Sequence, residues 1–280
     1  MPSPLSRPTN DIYTTLMLPI SRFAGIADIV QTFQCYRIIT FMAFSDVKAR
    51  YKRSVLGPLW LTLGTAGGSA GLGFIWSELF RVDATTFVPT LTAGLILWQF
   101  ISGIITESTV LFSRQASIIR NLSLPLAIHP AQLLLRHLIN LAHNAPVFFI
   151  VALALGSPLT LTTLLALPGL LLLTLNLLWL ALFIGLIGAR FRDIEYLVAM
   201  VMPLFMLISP VFFRPNYLPF SEHIIWFNPF SHFIEIVRFP LLGSTPPIFV
   251  VEIHLAMLVV GWGVTLWLFN RQHHRVAFWV

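Results

Sequence analysis

Six apolar stretches, each about as long as a membrane-crossing helix, constrain this chain more than any other feature of its sequence. A bilayer core about 30 Å thick is crossed by roughly 20 predominantly apolar residues in helical conformation. The six predicted spans cover residues 58–80, 87–106, 130–155, 161–189, 196–213 and 248–269. They predict an all-α integral membrane protein with six transmembrane helices. The fifth span is the shortest, and Pro203 and Pro210 are expected to kink or interrupt it.

The amino-acid composition excludes an ordinary soluble fold. Of the 280 residues 57% are hydrophobic and 10% are charged, whereas soluble domains carry about 25% charged residues. Too little polar sequence remains outside the spans to build a soluble domain. We therefore predict a cytoplasmic tail at 1–21, an amphipathic helix at 22–53, one transmembrane domain at 54–270 and a second cytoplasmic tail at 271–280.

The positive charges predict the orientation in the membrane. In a soluble protein, a formal net charge of +6 could indicate nucleic-acid binding. Here the basic residues flank apolar spans, and we expect no nucleic-acid partner. Cytoplasmic loops carry the excess of Lys and Arg. With both termini in the cytoplasm, thirteen of the 17 bases lie on that side: Arg7, Arg22, Arg37, Lys48, Arg50, Lys52, Arg53, Arg114, Arg120, Arg190, Arg192, Arg271 and Arg275.

Two segments outside the spans are predicted to be helical at the membrane surface. Between residues 22 and 53, apolar residues such as Ile29 and Phe33 alternate with polar ones at helical spacing, which is typical of a helix lying in the membrane plane. The alternative is a seventh span, in which Arg37 and Asp46 would be costly at membrane depth. Residues 214–247 mix aromatic residues with prolines and charges, which favours short helices on the outer side.

The sequence contains no G-x-x-x-x-G-K-[ST] loop, and neither of its two lysines, Lys48 and Lys52, follows a glycine run. If ATP drives the protein, another polypeptide must bind the ATP and magnesium, so no cofactor is expected on this chain. Neither H-E-x-x-H nor a cysteine–histidine set is present, and no metal site is predicted. Glu107 and Arg136 are expected to pair across neighbouring spans.

The first span is rich in glycine and leaves two interpretations open. Gly64, Gly67, Gly68 and Gly71 include spacings of four, which allow close helix packing in lipid. Residues 67–71 also spell G-x-S-x-G, the nucleophile pattern of serine hydrolases. An intramembrane hydrolase would pair Ser69 with a histidine of another span, His143 or His254, whereas a packing face needs no such pair.

Several short motifs together resemble the permeases of the ABC-2 polysaccharide-export family. They comprise R-Y-K-R-S-V-L-G-P-L-W at 50–60, G-L-I-L-W-Q-F at 94–100, S-L-P-L at 123–126, A-R-F-R-D-I at 189–194, S-P-V-F-F at 209–213, W-F-N-P-F at 226–230 and F-W-V at 278–280. The resemblance covers the chain from about residue 25 to its end, and the order and spacing of the motifs make it specific.

The resemblance implies a bacterial inner-membrane transporter built from two permeases and two ATPase subunits. The two copies of this chain would enclose a channel between spans one and five, with candidate lining residues Trp60, Phe74, Trp76, Trp98 and Phe212. The partner ATPase would dock on Phe33, Arg37, Arg190, Arg192, Asp193 and Glu195. The chain itself would have no catalytic residues.

The resemblance also implies a lipid-linked polysaccharide as the cargo, with O-antigen favoured by overall similarity. Its headgroup would first meet Arg50, Lys52, Arg53, Arg114 and Arg120, since the guanidinium group binds phosphate oxygens bidentately. The alternatives within the same fold are exporters of capsule, of teichoic acid, or of drugs and small lipids.

Overall fold

The computed structural model describes residues 24–157, 159–213 and 222–280, and within these ranges the chain is helical and contains no strand. The all-α prediction is therefore confirmed for the described residues. The helices are α1 (Ala24–Gln34), α2 (Tyr36–Arg50), α3 (Leu59–Phe80), α4 (Ala84–Ser108), α5 (Leu111–Arg114), α6 (Ala116–Asn121), α7 (Ile128–Ala154), α8 (Ala166–Arg190, preceded by a 3₁₀ turn at Leu161–Leu165), α9 (Asp193–Ile208), α10 (Glu222–Phe227), α11 (Pro229–Leu241), α12 (Ile248–Gln272) and α13 (Val276–Trp279).

Four helical segments in the described residues are long and apolar enough to cross a membrane: Ala84–Ser108, Ile128–Ala154, Leu161–Arg190 and Ile248–Trp279. The predicted count of six spans is therefore not confirmed. Helix α3 is 22 residues long, but glycine, serine and threonine dilute its apolar character. Helix α9 has 16 residues, which at 1.5 Å per residue is about 24 Å and shorter than a bilayer core.

Helix α9 ends where proline and serine interrupt the predicted fifth span. Pro203 lies inside the helix, whereas Ser209 takes an extended conformation immediately after it. Residues 209–213 then form a turn rather than the continuation of a helix. The break matches the expectation that prolines interrupt this span, because the residue before a proline disfavours the helical conformation.

Helix α4 forms the centre of the bundle. It packs against α3, α7, α8, α9 and α11, and Leu91, Ile101 and Ile104 are completely buried. Asp83 caps its first turn by accepting a hydrogen bond from the Thr85 amide at 3.1 Å. The Thr85 hydroxyl and amide together lower the pKa of Asp83 below its ordinary value.

The predicted amphipathic segment folds as two helices, α1 and α2, which meet at a turn at Cys35. Polar Asp28 and Thr32 are buried against the bundle, whereas Phe33, Phe41 and Phe44 are exposed. An apolar face that points away from the protein suits contact with lipid. The position of this segment in the membrane plane stays a prediction, as does the tail at 1–21, which lies outside the described residues.

The described part of the segment between α9 and α12 contains two helices, α10 and α11, whereas residues 214–221 lie outside the described ranges. Asn228 caps α11 by accepting a hydrogen bond from the Phe230 amide at 3.0 Å. The helix is largely buried, and Phe233, Ile234 and Arg238 are almost fully enclosed. Its location on the outer side of the membrane stays a prediction.

Candidate functional site

Most of the charged residues singled out in the sequence lie at one end of the bundle. There α4 and α8 end, α7 begins, and α12 reaches its carboxyl-terminal turn. Helices α1 and α2 pack across this end, α1 against α12 and α2 against α7. We call this region the charged end. On the predicted orientation it faces the cytoplasm.

A network of ionic contacts holds α2 against α4 and α7 at the charged end. Arg136 contacts the Glu107 carboxylate directly and Asp46 at 3.3 Å. Arg50 and His137 each approach Glu107 to 3.4 Å. The predicted pairing of Glu107 with Arg136 is confirmed, and such compensation is what buried charges in a membrane protein require.

A second set of polar contacts clamps α1 between two other helices. The Asp28 carboxylate is 6% exposed and accepts hydrogen bonds from the amides of Leu126 and Ala127 at 2.7 and 2.8 Å. It also contacts His273 at 2.8 Å. Because those amides precede α7, the carboxylate acts as a cap for that helix from a distant part of the chain.

The amino terminus of α1 is itself capped by a residue near the end of α12. The Asn270 carboxamide accepts hydrogen bonds from the amides of Gly25 at 2.8 Å and Ile26 at 3.2 Å. A Cβ atom at position 25 would lie 2.8 Å from this carboxamide oxygen, so only glycine allows the approach. No sequence pattern indicates this clamp, since Gly25 and Asn270 are 245 positions apart and give no local signal.

The carboxyl-terminal helix α13 lies between the predicted headgroup entry and the predicted ATPase-docking surface and contacts a residue of each. Arg120 of the predicted headgroup entry donates to the main-chain oxygen of Val280. Arg190 of the predicted ATPase-docking group lies 5.8 Å from the Trp279 ring and 5.1 Å from the Phe191 ring. The structure therefore links the two arginines through the last turn of the chain, which no sequence pattern predicted.

The remaining residues of those two groups are mostly exposed on the surface of the chain. Arg50 differs, because its guanidinium group contacts Glu107. The exposed residues are Lys52, Arg53 and Arg114 of the predicted entry, and Phe33, Arg37, Arg192, Asp193 and Glu195 of the predicted docking surface. Exposure leaves them available to a ligand or a partner, and their roles stay predictions.

The five predicted channel residues divide into three environments. Trp60 and Phe74 of α3 are 60% and 69% exposed. Trp76 packs against Phe212 with ring centroids 5.0 Å apart. Trp98 is 5% exposed and packs edge-on against Phe230 inside the chain's own core, so we do not carry it forward as a channel residue.

A buried ion pair in α11 was missed by the sequence analysis. Arg238 is fully buried and contacts Glu235 three residues earlier. It also donates to the carbonyl oxygens of Pro210 at 2.5 Å and Phe213 at 3.1 Å. The guanidinium group thus satisfies carbonyls that the break after α9 leaves without helical partners.

The contacts of Ser69 do not form a hydrolase centre. Its hydroxyl donates to the carbonyl of Ala66 at 3.1 Å. The imidazoles of His143 and His254 contact the carbonyls of Ile139 and Val250 in their own helices. No hydrogen bond within the described residues joins Ser69 to a histidine, so the hydrolase alternative gains no support.

Comparison with known proteins identifies the fold family. Residues 38–242 match the ABC-2 type transporter family. The chain is 23% identical over 247 residues to an O-antigen export system permease protein RfbA of Klebsiella pneumoniae, covering 86% of this chain and 94% of that protein. It is 22% identical over 184 residues to a protein of the same name from Myxococcus xanthus, covering 65% of this chain and 70% of that protein. Because the family match covers well over half of its length, this chain belongs to the ABC-2 type transporter family.

Proposed function

We propose that this chain is the permease subunit of an ATP-driven exporter that moves a lipid-linked polysaccharide, with O-antigen as the favoured cargo, across the bacterial inner membrane. The observation that carries the proposal is the similarity to an O-antigen export permease over 94% of that protein's length. The similarity also covers 86% of this chain. Both termini are assigned to the cytoplasm.

Two copies of the chain are proposed to enclose the transport path, with α3 at the contact. Cβ atoms built on Gly64, Gly67, Gly68 and Gly71 meet no atom within 4 Å. The small-residue face of α3 is thus open within one chain. Such a face allows another helix to approach closely in lipid, and Trp60 and Phe74 on the same helix would offer aromatic surface to sugar rings.

The charged end is the proposed docking surface for a separate ATPase subunit. The turn between α8 and α9 and the start of α9 carry three exposed residues that an approaching subunit can reach: Arg192, Asp193 and Glu195. Phe33 is 73% exposed on α1. The contacts of Asp28 and Asp46 fix α1 and α2 to the spans, so a displacement of these two helices would be transmitted to α4, α7 and α12.

The cargo's phosphate-bearing headgroup is proposed to enter near Lys52, Arg53 and Arg114. These cations are exposed at the charged end and have no ionic partner among the described residues. Unpaired guanidinium groups are suited to phosphate oxygens. Arg50 is a weaker candidate than the sequence suggested, because Glu107 already occupies its guanidinium group.

Gene deletion tests the proposed cargo. A strain that lacks this chain should lose the long-chain glycan of its lipopolysaccharide and accumulate lipid-linked polymer inside, as measured by gel electrophoresis and lipid extraction. Loss of a capsule or of a teichoic acid instead would assign one of the alternative cargoes. Loss of resistance to small molecules with every surface glycan intact would contradict glycan export.

Substitution at the proposed docking surface tests the ATPase coupling. Arg190→Ala and Asp193→Ala should each reduce export by roughly tenfold, the scale of a typical coupling free energy between sites, while membrane insertion stays normal. Glu252→Gln serves as the control, because it removes the charge of an exposed carboxylate on α12, outside the proposed docking surface. Normal export in both alanine variants would contradict the docking role.

A further inference from the structure

A cavity lined by both polar and apolar side chains lies between α3, α4 and α7, beside the ionic network of the charged end. Its volume is about 240 Å³, and its polar lining consists of Arg50, Gln99, Ser102, His137, Asn140 and Asn144. Polar side chains inside a membrane-embedded bundle are costly and are characteristic of functional sites. Neither the family match nor the names of the similar proteins assigns a role to this cavity.

The cavity presents hydrogen-bonding groups that the chain does not use itself. Asn144 is 3% exposed. Its amide nitrogen donates to Gln99 at 3.1 Å, but its carboxamide oxygen is buried without a partner. Asn140, one helical turn away, is 9% exposed and lines the same space. A buried carbonyl without a donor has a desolvation cost of about 1–3 kcal/mol, which a hydroxyl-bearing ligand would offset.

Helix α3 borders the cavity. Gln99 is the exposed residue in a stretch of α4 that is otherwise buried from Pro89 to Ile101. Leu61 of α3 lines the cavity. The hydroxyl of Thr65, which is also on α3, donates a hydrogen bond to Gln99 of α4 at 3.2 Å. A ligand in the cavity would therefore lie on the side of α3 that packs against the bundle, where Thr65 is 2% exposed.

The charges around the cavity favour a neutral ligand over a phosphate. The guanidinium groups of Arg50 and Arg136 are matched by the carboxylates of Glu107 and Asp46 in the same network. A pyrophosphate would need uncompensated cations. Paired amide donors and acceptors with an adjacent aromatic ring, here the buried Phe100, suit the hydroxyls and C–H face of a sugar.

We propose that this cavity binds a single sugar ring of the transported glycan, held by Asn140, Asn144 and Gln99 next to α3. The choice of a sugar among neutral hydroxylated molecules rests on the proposed function. The site is distinct from Lys52, Arg53 and Arg114, the exposed cations that would meet the headgroup, none of which lines the cavity.

Thiol labelling tests the proposal, because Cys35 is the one cysteine of the chain. In a Cys35→Ser background, Asn140→Cys would be treated with a charged methanethiosulfonate reagent in vesicles that contain the permease and its ATPase. Ala145→Cys, on the neighbouring apolar groove, gives the background rate. Vesicles from a glycan-producing strain are compared with vesicles from a derivative that retains the lipid carrier but lacks the sugars.

The expected result is labelling of Asn140→Cys well above the control, slowed by about threefold or more in the glycan-containing vesicles, since a bound ligand competes with the reagent. Equal rates in the two vesicle types would overturn the proposal and leave the cavity water-filled. Labelling at the control rate would also overturn it. If Asn140→Cys does not accumulate, Ser102→Cys reports on the same cavity. A failure of the proposed function shows separately, as unchanged surface glycan in the deletion strain.

Discussion

Helices α3 and α4 are consecutive and were both predicted as spans, yet the structure uses them differently. The apolar window of α4 is 78% buried, and its glycines contact the rest of the chain closely. Helix α3 keeps Thr65 and Ser69 against the bundle but leaves Gly64, Gly67 and Gly68 facing open space. Glycine in this protein therefore has two uses: in α4 it allows close packing inside the fold, and in α3 it forms a surface that the rest of the chain does not cover.

The largest effect is expected from filling a glycine of the buried helix. A Cβ atom on Gly94 would lie 2.1 Å from the carbonyl oxygen of Val211. Since this contact is with backbone and cannot be relieved by a rotamer change, Gly94→Ala should destabilise the fold by about 3 kcal/mol or more. Thermal unfolding in detergent measures the loss.

The matched variant on the open helix is Gly67→Ala. It should leave the thermal stability of the chain unchanged, because no atom lies within 4 Å of the new methyl group. If the open face meets a second copy, this variant should weaken dimer formation in native mass measurements. Equal destabilisation by Gly94→Ala and Gly67→Ala would contradict the conclusion that glycines of α4 are closely packed and those of α3 are not.

The next effect concerns the ionic network at the end of α4. Glu107→Gln leaves Arg136, whose side chain is 16% exposed, with Asp46 as its one carboxylate partner. Breaking a partly buried ion pair in this way should lower the free energy of unfolding by about 2–3 kcal/mol. Glu78→Gln, at an exposed position of α3, should change it little, and equal effects at both positions would contradict the structural role of the network.

A smaller effect is expected at the clamp on α1. Asp28→Asn keeps the size of the side chain but replaces a charged acceptor of two amides and His273. Loss of charge-assisted bonds should weaken the clamp by about 1–2 kcal/mol. Hydrogen exchange in Ala24–Gln34 should then accelerate while α4 stays protected, and unchanged exchange in α1 would show that other contacts hold it.

The smallest effect is expected at Ser69 on the packed side of α3. Its hydroxyl bonds only to Ala66 of the same helix, and such a bond contributes little to helix stability. Ser69→Ala should change stability by less than about 0.5 kcal/mol and leave export intact. Complete loss of activity with normal folding would revive the hydrolase alternative.

The fold class, the family resemblance and the approximate position of most helices could be predicted from the amino-acid sequence alone. These follow from patterns along a single stretch of chain: apolar runs predict helices, prolines predict the break before Ser209, and complementary charges on neighbouring spans predict the Glu107–Arg136 pair. The candidate residues at the charged end were found because exposed bases and acids near span ends are visible in the sequence.

Which of those residues have partners could not be predicted, because it depends on contacts between distant parts of the chain. Asp28 and Asn270 are far apart in sequence, and no local pattern indicates that one caps α7 and the other caps α1. Trp98 and Trp60 are equally aromatic, yet one fills the core and the other is exposed. An apolar side chain is driven out of water by its own chemistry. Whether it is buried in the protein, faces lipid or contacts a second chain depends on how the surrounding helices pack.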